Sequence, residues 1–241
     1  MKILKCVVPA VVGIVFSLFA GSSFALPIAG QEAVLSYSDN PETYGGGSPL
    51  YGGEFLVDIY DGEKLNESFI SFCLEKNEYI TLGTSYTIVG VDDYAAKGGG
   101  TVSSGAVLEE GEWRDEVSQA TKWLMYNYLF GDYSFSRVNA ISPDTNANDL
   151  QRLIWFMEGE ITSLATATAN NIFTTYLKDK FNDKDYIFAY SDNVKVLNLE
   201  LNGGYAQSQL VAAPVPEPAT MLLFGAGLIG LAGVAKRRVR K

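Results

Sequence analysis

The residues that could carry chemistry in this chain are few, because it contains two cysteines and no histidine. Without histidine there can be no Ser-His-Asp triad, no Cys-His pair and no His-ligated metal site. Cys6 falls in an apolar N-terminal segment, so Cys73 is the only thiol of the body and cannot form an internal disulfide there. Cys73 is therefore either a small packing residue or part of a reactive site.

Residues 68–75 (Ser-Phe-Ile-Ser-Phe-Cys-Leu-Glu) have the alternating pattern of a β-strand. Because side chains alternate across a strand, Cys73 shares a face with Ser71, and the large apolar Phe72 and Leu74 occupy the opposite face. This pattern predicts that Cys73 is half-buried.

Strand patterns occur on both sides of a helical region, and Asp61-Gly62 predicts a turn between two of the early strands. The body is rich in Tyr, Val, Ile and Gly, which favour strands and turns. Strands are predicted at 31–38, 54–60, 68–75, 79–91, 186–190, 194–201 and 205–211.

The middle of the chain changes from strand to helix periodicity. Apolar residues at helical spacing predict a helix over 114–130, with Asp115 and Glu116 in its first turn. Further helices are predicted at 145–158 and 163–181.

The order of strands, helices and strands predicts an α+β fold. We expect a β-sandwich or barrel with a helical insertion at about 114–181, in one extracytoplasmic domain at 26–213. A body of this length can bury a core without disulfides.

Two further segments place glutamine beside apolar residues, namely 150–155 (Leu-Gln-Arg-Leu-Ile-Trp) and 206–211 (Ala-Gln-Ser-Gln-Leu-Val). Together with Phe72-Cys73-Leu74-Glu75, they resemble the Cys–Gln thioester domains of bacterial surface proteins. Those domains have a Cys after an aromatic or aliphatic residue, a central Gln-x-Ala-Ile/Val-Trp helix motif and a late Gln followed by apolar residues. Leu153 departs from this pattern, since the family prefers Ala there.

The resemblance implies that the cysteine sulfur displaces ammonia from a glutamine side chain and forms a thioester that a partner's amine can attack. By position, Cys73 would donate the sulfur and Gln209 or Gln207 the acyl group, with Gln151 a weaker candidate. Shared fold ancestry without the thioester bond is the alternative.

Aromatic residues and carboxylates offer the other candidate sites. Trp123, Trp155, Tyr126 and Tyr128 could stack on sugars, but their helical spacing beside aliphatic residues is more typical of core. The carboxylates at 109–112 suit a solvated loop better than a glycosidase pair. We predict no catalytic residue, no metal site and no cofactor, and we expect a protein that is not an enzyme.

The first 25 residues have the three parts of a secretory signal peptide. Lys2 and Lys5 precede an apolar run at 7–19, and 23–25 (Ser-Phe-Ala) supplies small residues before a cleavage point. We expect cleavage after Ala25.

Residues 214–241 combine a proline-rich start, an uncharged segment at 219–235 and a basic end at 236–241. An apolar segment of this length predicts a transmembrane helix, and its basic end places the body outside the cytoplasm. The sequence Pro216-Glu217-Pro218 before such a segment resembles the PEP-CTERM sorting signal, which some collections call an ice-binding protein C-terminal domain. The resemblance implies an exosortase as partner and cleavage near this motif.

The formal net charge of −10 disfavours binding to nucleic acid. We expect an exported protein that is first tethered to the inner membrane and then reaches the envelope or an exopolysaccharide matrix. Its expected role is structural or adhesive, with exopolysaccharide or surface amines as partners. A secreted polysaccharide-active enzyme or a non-covalent carbohydrate-binding protein is the alternative.

Overall fold

The structure, a computed structural model, describes residues 25–38, 53–96, 106–133, 135, 147–164, 166–181, 183, 186–214, 225 and 227. Residues Leu26–Val215 form one compact unit. The secondary structure of its described residues is mostly β-sheet with three α-helices, in agreement with the predicted α+β class.

Both predicted targeting segments fall almost wholly outside the described residues, including the signal peptide at 1–25, the sorting motif at 216–218 and most of the apolar segment at 219–235. Within the described ranges, no helix is both long enough and apolar enough to span a membrane.

Six antiparallel strands close into a barrel, which decides between the two predicted β architectures. In spatial order they are β1 (Glu32–Tyr37), β2 (Phe55–Asp61), β3 (Lys64–Cys73), β9 (Gly204–Ala212), β8 (Val194–Leu201) and β4 (Ser85–Asp92). The barrel closes because β1 pairs with both β2 and β4, and β9 returns late in the chain to pair with β3. The predicted turn at Asp61-Gly62 connects β2 to β3, and Gly62 has the positive φ of +62° that such a tight turn requires.

A second, three-stranded sheet was not predicted. It contains β5 (Tyr94–Ala96), β7 (Glu112–Glu116) and β6 (Val107–Glu109) in that order. The turn between β6 and β7 places Glu110 and Gly111 at positive φ, a conformation that hairpin turns favour. Residues 114–116 are therefore strand, and the predicted helix start at 114 is wrong.

In the described residues between β7 and β8 there are three α-helices, namely α1 (Gln119–Phe130), α2 (Ala147–Met157) and α3 (Ala167–Ile172), the last of which continues as a π-helical turn at Phe173–Leu177. Helix α1 begins after Ser118 because the Ser118 Oγ accepts a hydrogen bond from the Thr121 amide, which satisfies one free amide of the first turn. Asp115 and Glu116 thus precede the helix and do not lie in its first turn.

The predicted strand at 186–190 is also wrong. Phe188 packs instead among the residues buried under the helices, and Tyr190 adopts a left-handed backbone conformation before the 3₁₀ turn at Ser191–Asn193.

Two buried clusters follow from the alternation of the strands. The barrel interior receives side chains from all six strands and from Trp155 of α2. The second cluster lies between α1, α2 and the outer faces of β3, β8 and β9. The strand β3 is therefore covered on both faces near its end, where Cys73 lies.

Candidate functional site

Cys73 is the last residue of β3, and its side chain belongs to the cluster inside the barrel. Only 2% of Cys73 is exposed, so the predicted half-buried position is wrong. The alternation itself is correct, because Phe72 and Leu74 face the opposite way, toward the helices. Both faces are covered because the barrel closes on one side and the helices pack on the other.

Gln209 and Gln207 lie on β9, beside Cys73. Cys73 and Gln209 are opposite each other in the antiparallel pairing of β3 with β9. The Gln209 Nε2 lies 3.6 Å from the Cys73 Sγ, and the Gln207 Oε1 lies 3.0 Å from the same sulfur. The structure thus brings both predicted acyl donors to the thiol.

Gln151 of α2 reaches the main chain of Cys73. Its Oε1 accepts from the Cys73 N–H at 2.9 Å, and its Nε2 donates to the Cys73 carbonyl at 2.7 Å. The pairing of β3 with β2 ends at Ser71, so the N–H and C=O groups of Cys73 have no partner on β2. The side-chain amide of Gln151 supplies the two hydrogen bonds that a neighbouring strand would otherwise make, since buried main-chain groups need partners.

Ser71 precedes Cys73 by two residues and therefore points to the same side of β3. It is fully buried, and its hydroxyl donates a hydrogen bond of 3.0 Å to the Gln209 Oε1. The side-chain amide of Gln209 is thus held between the Ser71 hydroxyl and the Cys73 sulfur.

The Cys73 sulfur is held as a thiol. Burial raises the pKa of Cys73 to about 12, and although the hydrogen bond from Gln209 lowers it, the nearby carboxyl of Glu75 raises it. A thiol at neutral pH can donate to the Gln207 Oε1, which lies within hydrogen-bonding distance.

Three glutamates lie near this end of β3. Burial raises the pKa of Glu75 well above its ordinary value, raises that of Glu78 to about 7 and also raises that of Glu160. The Glu75 Oε2 accepts from the Ser208 amide at 3.1 Å, whereas its Oε1 is buried without a partner. These conditions favour the neutral acid at Glu75. Across the described part of the chain, no group of three His, Cys, Asp or Glu could hold a metal ion.

The four aromatic residues considered as a sugar platform lie in or against the buried clusters. Tyr128 and Trp155 are 1% and 5% exposed. Tyr126 is likewise buried, and Trp123 packs at the edge of the helical cluster against Tyr133 and other rings. Their positions are those of core residues.

The comparisons with known proteins concern the other end of the chain. Residues 214–238 match the family description of the PEP-CTERM protein-sorting motif. The chain carries a PEP-CTERM sorting motif. PEP-CTERM signals are recognised by exosortase, so this is an exosortase-sorted surface protein, exported and sorted in association with the membrane at the cell envelope. No curated protein and no solved structure matches the chain significantly.

The matched segment contains Pro216, Glu217 and Pro218, the residues predicted as the sorting motif. The PEP-CTERM match begins at residue 214, and only Ala213 separates it from Ala212, the last residue of β9. The match therefore identifies the sorting signal and leaves the chemistry of the barrel to be argued from its own residues.

Two residues beside Cys73 had no predicted role. Ser71 and Glu75 stand two positions before and after Cys73, which is the spacing of residues on one side of a strand. This two-residue spacing could have identified both as neighbours of the Cys73 thiol. Their contacts with Gln209 and with the Ser208 amide depend on the pairing of β3 with β9.

Proposed function

We propose that the barrel of this exosortase-sorted protein forms a thioester between Cys73 and Gln209, and that the protein is a covalent adhesin rather than an enzyme. The observation that carries the proposal is the placement of the Cys73 thiol opposite Gln209 in a closed barrel, with the Gln209 Nε2 at 3.6 Å from the sulfur. Burial favours the bond, since water that would hydrolyse a thioester is excluded.

Gln209 is favoured over the other two glutamines by the contacts of each amide. Gln151 uses both ends of its amide on the main chain of Cys73. Gln207 accepts from the thiol and donates to the Glu75 carbonyl at 2.7 Å, so its amide is held as a partner of the S–H group. Gln209 directs its amide nitrogen, the group that must leave, toward the sulfur.

The proposed reaction needs no external oxidant or cofactor. The Cys73 Sγ forms a bond to the Gln209 Cδ, the bond from Cδ to Nε2 breaks, and the thiol proton leaves with that nitrogen as ammonia. An amine of a surface partner then forms a bond to Cδ, and the sulfur leaves as the thiol. The product is an amide link between the two proteins.

Intact mass tests the proposal directly. The wild-type protein should weigh one ammonia less than its sequence and should add methylamine on incubation. Cys73→Ala and Gln209→Met should have full mass and take up no methylamine, because the first lacks the sulfur and the second lacks the carbonyl. Gln207→Met is the matched variant on the same strand and should still lose ammonia.

A wild-type protein at full mass would contradict the thioester. If Gln209→Met still loses ammonia and Gln207→Met does not, the acyl group comes from Gln207, and the assignment to Gln209 is wrong. Masses should be recorded with the protein unfolded at acidic pH, where thioesters hydrolyse slowly.

A further inference from the structure

The Ser71 hydroxyl is the group that contacts the carbonyl oxygen of Gln209. Ser71 and Gln209 are both fully buried, and the Ser71 Oγ lies 3.0 Å from the Gln209 Oε1. The barrel holds the two residues on adjacent strands, because β3 lies between β2 and β9. Neither side chain can turn to solvent without opening the barrel.

The position of this hydroxyl matters because negative charge develops on the carbonyl oxygen when sulfur attacks an amide carbon. A donor already aimed at that oxygen stabilises the tetrahedral intermediate without reorganising, and it does so most strongly where water is excluded. The distance from Ser71 to Oε1 lies within the range of such donors.

We propose that Ser71 is a catalytic residue of thioester formation, and that its hydroxyl stabilises the oxyanion on the Gln209 Oε1. The inference rests on the proposed function. As the Cys73 sulfur attacks Cδ, the thiol proton passes to Nε2 and ammonia leaves, while Ser71 keeps its own proton throughout. The same hydroxyl then polarises the thioester carbonyl when an amine attacks it.

The contacts of Gln207 explain why the Ser71 hydroxyl also favours Gln209 over Gln207 as the acyl donor. The Gln207 Oε1 accepts from the Cys73 thiol. The S–H donor is lost when the sulfur gives up its proton to attack. An oxyanion on the Gln207 Oε1 would therefore have lost this hydrogen bond by the time its negative charge develops. The donor on Gln209 comes from a different residue and remains in place.

The isosteric pair Ser71→Thr and Ser71→Val separates the hydroxyl from packing, because the two variants add similar volume and only threonine keeps the donor. Full-length chains are made by cell-free synthesis in detergent, and the loss of ammonia is followed by intact mass over time. Ser71→Thr should react at a rate close to wild type, and Ser71→Val should react about 10²–10³-fold more slowly. Ser71→Ala should resemble Ser71→Val.

Ser208→Ala is the matched control, since it removes another buried serine hydroxyl, one that bonds to Asn198 rather than to a glutamine. It should react at the wild-type rate. If the wild type loses ammonia and the Thr and Val variants react at equal rates, the role of Ser71 is overturned and the thioester itself is not. A wild type that never loses ammonia would overturn the proposed function instead.

Discussion

At the scale of single residues, the end of the barrel concentrates polar groups that are costly to bury. Gln151, Gln207 and Gln209 are each at most 4% exposed. An amide moved out of water without partners costs several kcal/mol, in the range of about 2–7. Here each amide is bonded to the Cys73 thiol, to the main chain or to Ser71, so the cost is offset by the same contacts that surround the sulfur.

The protonation of Cys73 gives a prediction that separates burial from thioester formation. In Gln209→Met the thiol should remain free but should react slowly with iodoacetamide in the folded protein, because Cys73 is 2% exposed and its pKa is raised to about 12. The thiolate is the reactive form, so a raised pKa slows alkylation in addition to the effect of burial. The measurement is the alkylation rate by mass at pH 8.

The same variant in denaturant is the control, and it should alkylate at the rate of an ordinary thiol. Fast alkylation of the folded variant would mean that the barrel end is open to reagents. Slow alkylation of the wild type is therefore no test of the thioester unless the protein is unfolded first.

At the scale of elements, the glutamate that follows α2 joins it to the start of α1. The Glu158 Oε1 accepts from the Ser118 hydroxyl at 2.8 Å and also from the Thr121 hydroxyl. Its Oε2 accepts from the Ser118 amide at 3.4 Å. A carboxylate at a helix N-terminus satisfies free amides and suits the helix dipole. This joint fixes α1 relative to α2, the helix that positions Gln151 and Trp155.

Glu158 predicts how stability depends on pH. Burial raises its pKa from 4.5 to about 7, although the hydrogen bonds from Thr121 and Ser118 lower it. The pKa of Glu158 in the folded protein lies above its unfolded value. The stabilisation that Glu158 gives the folded state is therefore fully present below about pH 4.5 and is lost as pH rises toward 7. The free energy of unfolding of wild type relative to Glu158→Gln should fall by at most about 3 kcal/mol between pH 4.5 and 8.

Urea unfolding at several pH values measures this difference. Glu116→Gln, which changes an exposed carboxyl in β7, is the matched control and should not produce the same trend. A difference between wild type and Glu158→Gln that stays constant with pH would contradict the prediction.

At the scale of the whole molecule, a sorting signal accompanies a closed barrel. Residues 214–238 match the PEP-CTERM motif, and the compact unit spans Leu26–Val215. The signal therefore follows the folded body almost immediately in the chain. The proposed thioester between Cys73 and Gln209 would lie inside the barrel, and such burial would protect it from water during export.

The sorting motif gives a prediction that does not depend on the barrel. The double variant Pro216→Ala with Glu217→Ala should be exported but not processed, so the tail should remain attached and the protein should stay in the membrane fraction. Cell fractionation with intact-mass measurement checks this in the native host. Glu63→Ala, an exposed residue of the β2–β3 turn, is the control and should be processed normally.

Much of the fold could be predicted from periodicity alone. The strands at 54–60, 194–201 and 205–211 and the helix at 145–158 appear within a few residues of their predicted bounds, because long alternating or helical patterns identify element types well. The small sheet of β5, β6 and β7 was missed because its strands are short and most residues of β6 and β7 are exposed. The strand predicted at 186–190 does not form: Phe188 packs under the helices, whereas Ile187 is 85% exposed and Tyr190 adopts a left-handed conformation.

The sequence by itself determined the chemical inventory of this protein: no histidine, a single body cysteine, glutamines in two apolar segments and a PEP-CTERM motif at 214–238. Only the tertiary structure decided that Cys73 is buried, that Gln209 faces it and that Ser71 contacts the same amide. Strand periodicity fixes which side of a strand a residue occupies, but not which strand lies next to it. Closure of the barrel by β9, more than a hundred residues after β3 in the chain, supplied that neighbour.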